Sequence, residues 1–204
     1  IIEKSPPLSG SIKINGSRAC DLMRNGKEVE LSDREIDIFD LKLNKVVNSK
    51  FVRITHKDAI TLLKEAKVEW EFTPEYGEDI AKEHEKYITE HFNGPVFITD
   101  WPKDIKAFYM KLNEDGETVA AADLEVPGSG ELCGGSQRED DYDKLIQRMK
   151  ELDIPEENLD WYTNLRKFGG CYHSGFGLGF ERLIMYLTGV DNIRDVIPYP
   201  RTPN

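Results

Sequence analysis

Alternating apolar and polar positions predict a β-sheet in the middle of the chain. PVFITDW, at residues 95–101, has the pattern of a strand. Two apolar runs then flank NEDG, at residues 113–116, and predict a hairpin. GELCGGS, at residues 130–136, predicts a further strand. Because tightly connected strands pair antiparallel, we expect residues 95–137 and 170–179 to form one antiparallel sheet.

Apolar residues recur at helical spacing on both sides of the predicted sheet. Thr55 and Asp58 resemble a capping box at the start of one helix, and residues 80–92 predict a second, amphipathic helix. Three more helices are predicted at residues 141–152, 157–168 and 180–188. Their apolar stripes are formed by Leu145, Met149 and Leu152, by Trp161, Leu165 and Phe168, and by Phe180, Leu183, Ile184 and Leu187. Helices that follow strands predict an α+β fold, with an antiparallel sheet flanked by helices.

The first 35 residues show no sustained hydrophobic period. Turn signals such as SPPLSG, NGS and RNGKE recur among them at short spacing. We interpret residues 1–35 as an irregular N-terminal segment, a remnant or an addition, with one short hairpin. The folded domain is expected to occupy residues 36–204.

Composition narrows the class of protein. The 204 residues are 39% hydrophobic and 32% charged, as in soluble globular proteins. No apolar run approaches the length of a membrane span, and no basic and apolar leader opens the chain. Three scattered cysteines argue against a disulfide framework and suit a reducing compartment, so we expect a cytoplasmic protein, or an organellar one in a eukaryote.

The charge is acidic overall but uneven. A net charge of −11 is a poor basis for general nucleic-acid binding. Residues 139–160 hold nine acids and three bases, which we interpret as a solvated helix face. Residues 161–204 hold five bases and three acids, so this last part of the chain could face phosphates.

SGFGLGFERL, at residues 174–183, carries glycine at every second position. Because side chains alternate between the faces of a strand, Gly175, Gly177 and Gly179 would leave one face bare. The large side chains between them are expected to pack into the core, namely Phe176, Leu178 and Phe180. Glycine weakens a strand, so three on one face indicate close approach by another group.

Arg182 follows the glycines in the first turn of the predicted helix. Its planar guanidinium can stack on an aromatic ring or bind a phosphate. Together with the bare face, it predicts a site for a purine nucleotide. The alternative is that the glycines admit a tightly packed neighbouring helix. The spacing is GxGxG, so it does not match the GxGxxG dinucleotide fingerprint.

HSGFGLGFERL resembles motif 3 of the class II aminoacyl-tRNA synthetases, in the aspartate/asparagine subgroup. Two further strings are similar to the bacterial-type asparagine members of that subgroup: KDIKAFYMKLNEDGETVAAADLEVPGSGELCGGSQRE and VDNIRDVIPYPRTP. The resemblance covers residues 36–204. It implies a class II catalytic domain that uses ATP to convert asparagine into an adenylate and transfers it to tRNA(Asn), in a homodimeric full-length enzyme.

The resemblance also implies roles for individual residues. Arg182, the expected catalytic residue, would pack on the adenine and neutralise phosphate charge. The rest of the ATP site would be Gly175, Gly177, Gly179 and Glu131. Asp123 and Glu131 would bind Mg²⁺, and Arg138, Ser136 and Gly135 would bind the amino acid. His173 receives no catalytic role.

The chemistry of two of these assignments can be argued independently. Mg²⁺ prefers carboxylate oxygens and shares its shell with substrate phosphates, and Asp123 and Glu131 on neighbouring strands could point to one site. The alternative is a pair of surface acids. The guanidinium of Arg138 could donate to the amide oxygen of asparagine.

The FRxE signature of motif 2, whose arginine holds the α-phosphate in this family, is not found in the sequence. Motif 1 and an anticodon-binding barrel are not recognised either. We therefore expect residues 36–204 to be the C-terminal part of a catalytic domain that is inactive alone. Three explanations of such a partial domain remain open: a truncated chain, ordered pieces that were joined together, or a shortened paralogue. The alternative function is a non-catalytic paralogue that binds a nucleotide or a partner.

Overall fold

The computed structural model describes residues 47–201 with their side chains, and the backbone of residues 2–4, 13–14, 17–18 and 34–36. The chain divides into two compact units. One is Lys50–Leu178, and the other combines Ile1–Ser49 with Gly179–Asn204.

The unit Lys50–Leu178 is built on a five-stranded sheet. Its strands are β1 (Val52–Thr55), β2 (Val96–Pro102), β3 (Thr118–Val126), β4 (Gly130–Gln137) and β5 (Ser174–Leu178). They lie side by side in the order β1-β2-β3-β4-β5. The pairs from β2 to β5 are antiparallel, which confirms the predicted sheet, and the predicted α+β fold is confirmed with it. β1 is parallel to β2, because the connection between them is long enough to cross over.

Four helices belong to the same unit: α1 (His56–Glu65), α2 (Lys82–His91), α3 (Tyr142–Glu151) and α4 (Asp160–Lys167). Each lies within a segment that the sequence predicted to be helical. Thr55 caps α1 as expected, because its hydroxyl accepts a hydrogen bond of 3.1 Å from the backbone N–H of Asp58.

The first arm of the predicted hairpin is not a regular strand, so that prediction is partly wrong. A 3₁₀ turn at Lys103–Ile105 follows β2 directly. Only isolated bridges then continue the pairing, from Met110 to Arg138 and from Leu112 to Val119. The NEDG turn itself is present, since the N–H of Asn113 donates to the carbonyl of Thr118 at 2.8 Å.

The core lies under α1 and α2 at the β2 end of the sheet. Ala59 and Leu63 of α1, Ile88 of α2 and Ile98 of β2 are fully buried. Trp101, also buried, donates from its indole N–H to the carbonyl of Ile98 at 3.0 Å.

The β5 end of the sheet does not bury the side chains that the sequence assigned to the core. Phe176 is 78% exposed and Leu178 is 44% exposed, so this prediction is wrong for both residues of β5. Phe180, which follows β5 in the other unit, is 63% exposed and is not buried either. The physical reason is that β5 is an edge strand of the described sheet. An apolar alternation predicts which side chains share a face, but not whether a second layer covers that face.

The apolar stripe of α4 also faces outward. Trp161, Leu165 and Phe168 are exposed, whereas Thr163 and Arg166 of the same helix are buried. Arg166 determines this orientation, because its Nε donates to the carbonyl of Glu139 at 2.9 Å. The side of α4 that faces the protein is therefore the side of the hydrogen-bonded Arg166, and not the side of its apolar residues.

The second unit contains the helix α5 (Phe180–Thr188), which confirms the prediction for residues 180–188. Gly189 ends it in the left-handed conformation, with φ of +72°. Residues 13–14 and 17–18 pair antiparallel and confirm one short hairpin, and residues 2–4 pair with 34–36. The other predictions for residues 1–46 lie outside the described residues. Within the part of the chain that is described, no helix is long and apolar enough to cross a membrane.

Candidate active site

One face of the sheet carries most of the predicted site residues. Strand register aligns Ile98, Asp123, Gly134 and Gly177 in one row across β2 to β5. The row two residues along aligns Ala121, Ser136 and Gly175. Since directly paired residues point to the same side, these rows define what we call the glycine face.

Asp123 and Glu131 come together on the glycine face. A Cβ atom built on Gly134 would lie 2.7 Å from Oε1 of Glu131 and 3.0 Å from Oδ1 of Asp123, so the two oxygens lie within about 6 Å of each other. Both carboxylates thus lie over the backbone of Gly134, in the space that a side chain at this position would take. A side chain at this position would push them apart.

The surroundings of Asp123 are largely closed. Burial raises the pKa of its carboxyl group, while the hydrogen bond and the charge of Lys106 act in the opposite direction. Lys106 Nζ donates to Oδ2 of Asp123 at 2.6 Å. This lysine is a site residue that the sequence analysis missed, because it follows the irregular turn after β2 where no hydrophobic period exists.

The donor set fits Mg²⁺ of the kind that is shared with a nucleotide. Two carboxylate oxygens can approach one ion, and Mg²⁺ completes its shell with water and phosphate oxygens. Among the described residues, no three His, Cys, Asp or Glu side chains form a metal-binding group. A fully protein-bound structural metal is therefore a poorer fit for these residues than a metal carried with phosphates.

Arg138 lies on the same face, above Gly175. Its Nη2 is 2.9 Å from the point where a Cβ of residue 175 would stand, so glycine makes room for the guanidinium. Nη1 donates to the hydroxyl of Ser136. The guanidinium carbon also lies 4.8 Å from the ring centre of Tyr109. Ser136 and Tyr109 thus hold the guanidinium, and Tyr109 is a second residue that sequence reasoning did not single out.

Gly135 and Gly177 differ from each other in what surrounds them. Gly135 points to the reverse face, where a Cβ would lie 2.9 Å from the carbonyl oxygen of Gly175 and from Cβ of Phe176. Close strand packing explains this glycine, and its predicted contact with the amino acid would have to use its backbone. Among the described residues, a Cβ on Gly177 would meet no atom within 4 Å, so no described side chain covers the glycine face there.

Gly179 and Arg182 belong to the other unit. Gly179 precedes α5, and the aliphatic carbons of Arg182 lie 3.4 to 3.5 Å from the position of a Cβ on Gly179. Their predicted roles toward ATP remain predictions.

Comparison with known proteins identifies the class. The family model of class II tRNA synthetases (D, K and N) matches residues 17–203. The chain belongs to this family. Among its curated relatives, the asparagine–tRNA ligase of Acholeplasma laidlawii (strain PG-8A) is 61% identical over 163 residues, which cover 79% of this chain and 35% of the relative.

Solved structures agree with the sequence relatives. The asparaginyl-tRNA synthetase of Pyrococcus horikoshii complexed with asparaginyl-adenylate matches with a TM-score of 0.71 and 43% identity, over 80% of this chain and 37% of that one. The asparaginyl-tRNA synthetase of Entamoeba histolytica, also in complex with asparaginyl-adenylate, matches with a TM-score of 0.70 and 40% identity, over 74% and 35%. The chain spans about a third of the length of the curated relatives it matches.

Proposed function

We propose that this chain is part of the catalytic domain of an asparagine–tRNA ligase. In such an enzyme, ATP converts asparagine into an adenylate and the asparaginyl group then passes to tRNA(Asn). The observation that carries the proposal is the fixed guanidinium of Arg138 on the same sheet face as the Asp123–Glu131 pair. The names of relatives at 55 to 61% identity support asparagine as the substrate.

Arg138 would bind the side-chain end of the amino acid. It presents planar donors that suit the amide oxygen of asparagine. Because Ser136 and Tyr109 hold the guanidinium before any substrate arrives, little side-chain entropy remains to be lost on binding. Arg138 would thus place the α-carboxylate at a defined distance along the glycine face.

ATP would lie on the bare positions of the glycine face. Gly177 carries no side chain that would keep a flat base or a phosphate from the backbone. The space above Gly175 holds the guanidinium of Arg138, so ATP would meet Gly175 only beside that group. Arg182 is proposed to stack on the adenine and to neutralise phosphate charge. Asp123 and Glu131 would hold Mg²⁺, which supplies charge neutralisation at the phosphate oxygens.

The reaction needs positioning more than proton transfer. An oxygen of the α-carboxylate attacks the α-phosphorus in line, a P–O bond to the amino acid forms, and pyrophosphate leaves. The carboxylate is already ionised at neutral pH, so no general base is required. The protein contributes by holding both reactants and by meeting the charge that develops. Transfer to tRNA, a homodimeric assembly and a cytoplasmic location are further parts of the proposal.

Binding of adenylate analogues tests the proposal without requiring turnover. Asparaginyl-sulfamoyl adenosine and its aspartyl counterpart would be titrated into the chain by calorimetry. We expect the asparaginyl analogue to bind at least about tenfold more tightly, since an unpaired amide or charge in the pocket costs more than about 1.4 kcal/mol. Arg138→Met should remove the preference. Equal binding of both analogues and of adenosine itself would instead favour the nucleotide-binding paralogue.

A further inference from the structure

Lys106 is the cation already present at the carboxylate pair. It follows the 3₁₀ turn Lys103–Ile105, and its Nζ lies 2.6 Å from Oδ2 of Asp123. The side chains of Lys106 and Asp123 are only 17% and 10% exposed. The ammonium therefore occupies one oxygen of a carboxylate whose other oxygen leans toward Glu131 over Gly134.

The position of this ammonium is fixed from a second side. Nζ of Lys106 lies 3.7 Å from the ring centre of Trp101, close enough for a cation–π contact. Trp101 is itself held by its indole hydrogen bond to Ile98 and by the ring of His56, whose centre is 4.7 Å away. Such a lysine cannot swing into solvent in the way that a surface lysine can.

A divalent ion on Asp123 and Glu131 would meet this positive charge at close range. Like charges separated by a few ångströms repel strongly when both are largely desolvated. Asp79 is a further charged group that acts on Asp123, and it raises the pKa of the Asp123 carboxyl group. Lys106 already neutralises part of the negative charge that would attract the metal.

We propose that Lys106 competes with the divalent metal for Asp123, so that the metal binds tightly only together with a nucleotide. The phosphates of ATP bring the additional negative charge that outweighs the ammonium. Lys106 would thus make metal loading depend on nucleotide loading. This inference rests on the metal site of the proposed function.

Mn²⁺ binding to the 204-residue chain tests the competition directly. Free Mn²⁺ would be measured by electron paramagnetic resonance at pH 8, with and without α,β-methylene-ATP. For the unaltered chain we expect weak binding of Mn²⁺ alone and much tighter binding with the nucleotide analogue. Lys106→Met keeps an unbranched side chain that is one atom shorter, and it removes the charge. It should tighten binding of Mn²⁺ alone by on the order of tenfold and reduce the effect of the nucleotide.

Two control variants distinguish the charge of residue 106 from its shape and test whether Mn²⁺ binds at the carboxylate pair. Lys106→Arg keeps the positive charge, so its Mn²⁺ affinity should stay near that of the unaltered chain. Glu131→Gln should weaken Mn²⁺ binding in every background. If Lys106→Met does not fold, as judged by circular dichroism, Lys106→Gln replaces it.

Two outcomes would overturn the inference. One is unchanged or weaker Mn²⁺ binding in Lys106→Met, and the other is equal tightening in Lys106→Arg. Failure of the inference and failure of the proposed function can be told apart. If the asparaginyl analogue binds selectively but Lys106→Met leaves Mn²⁺ affinity unchanged, only the inference is wrong. If Mn²⁺ affinity rises without analogue selectivity, the inference stands and the function does not.

Discussion

The row Ile98–Asp123–Gly134–Gly177 crosses the sheet from a closed end to an open one. Ile98 is fully buried under the helices α1 and α2. Asp123 comes next and is held by Lys106. At the other end, a Cβ on Gly177 would meet no atom of the described residues within 4 Å. One strand register therefore produces a rigid charged cluster and, about 10 Å further along the row, a bare surface.

The difference between the two ends corresponds to two kinds of ligand. A small ion needs charged oxygens held at fixed positions, which a buried end can provide. A flat base and a phosphate chain need access to the backbone, which side chains would block. The closed end has its contacts within the unit Lys50–Leu178, whereas the open end offers room.

The first prediction concerns catalysis by the chain alone. Its 204 residues contain no FRxE string, so no such arginine is available to meet charge at the α-phosphorus. Removing one preorganised donor commonly lowers a rate by on the order of 10² to 10³. We expect asparagine-dependent pyrophosphate exchange to fall at least that far below the rate of a full-length relative. Near-equal exchange that Arg182→Ala abolishes would show that another arginine does this work, with Arg18, Arg24 and Arg53 the first to test.

The second prediction compares the same substitution at the two ends of the unit. Leu63 of α1 is fully buried, whereas Leu165 of α4 is 57% exposed. Leu63→Ala should lower the free energy of unfolding by about 2 to 5 kcal/mol, and Leu165→Ala should change it by less than about 0.5 kcal/mol. Urea denaturation measures both. Comparable losses in the two variants would mean that another surface covers α4 in solution.

The third prediction separates metal from nucleotide at two glycines of one row. Gly134→Ala forces the carboxylates of Asp123 and Glu131 apart, so Mn²⁺ binding should weaken by on the order of tenfold. Gly177→Val places its side chain in open space, so the chain should fold but lose ATP binding. Calorimetry with each ligand gives the four affinities. The contrast between the two ends fails if Gly177→Val binds ATP as well as the unaltered chain, since the nucleotide would then lie elsewhere.

Sequence pattern was sufficient where neighbours along the chain decide the structure. Thr55 and Asp58 predicted the cap of α1, and alternation placed Asp123 and Glu131 on adjacent strands. These features depend on local chemistry and on period, which the sequence displays directly.

Pattern was insufficient where distant contacts decide. The spacing of Trp161 and Leu165 predicts that they face the core. In the structure both are exposed, because α4 faces the protein with the hydrogen-bonded Arg166. Lys106 reaches Asp123 from an irregular turn, 17 residues earlier in the chain. A spacing of that kind has no periodic signature, so only the folded chain reveals the pair.

The last and smallest effect concerns pH at the closed end. Burial lowers the pKa of His56 below its ordinary value of 6.5, although the hydrogen bond to the carbonyl of Glu78 acts in the opposite direction. The folded state therefore favours the neutral ring, whereas the unfolded chain takes up a proton near pH 6.5. Stability from this group is complete above pH 6.5. It is lost as the pH falls toward the lowered pKa, by at most about 1.4 kcal/mol per pH unit.

His56→Phe isolates this contribution from the carboxyl groups that titrate nearby. The variant keeps an aromatic ring beside Trp101 but removes the titrating nitrogen. Urea denaturation between pH 5 and pH 8 should show the free energy of unfolding falling more steeply with acid in the unaltered chain than in the variant. The charges of Lys106 and Asp79, which act on His56, are present in both proteins and largely cancel in the difference. Parallel pH profiles would mean that His56 keeps an ordinary pKa and that the closed end admits water.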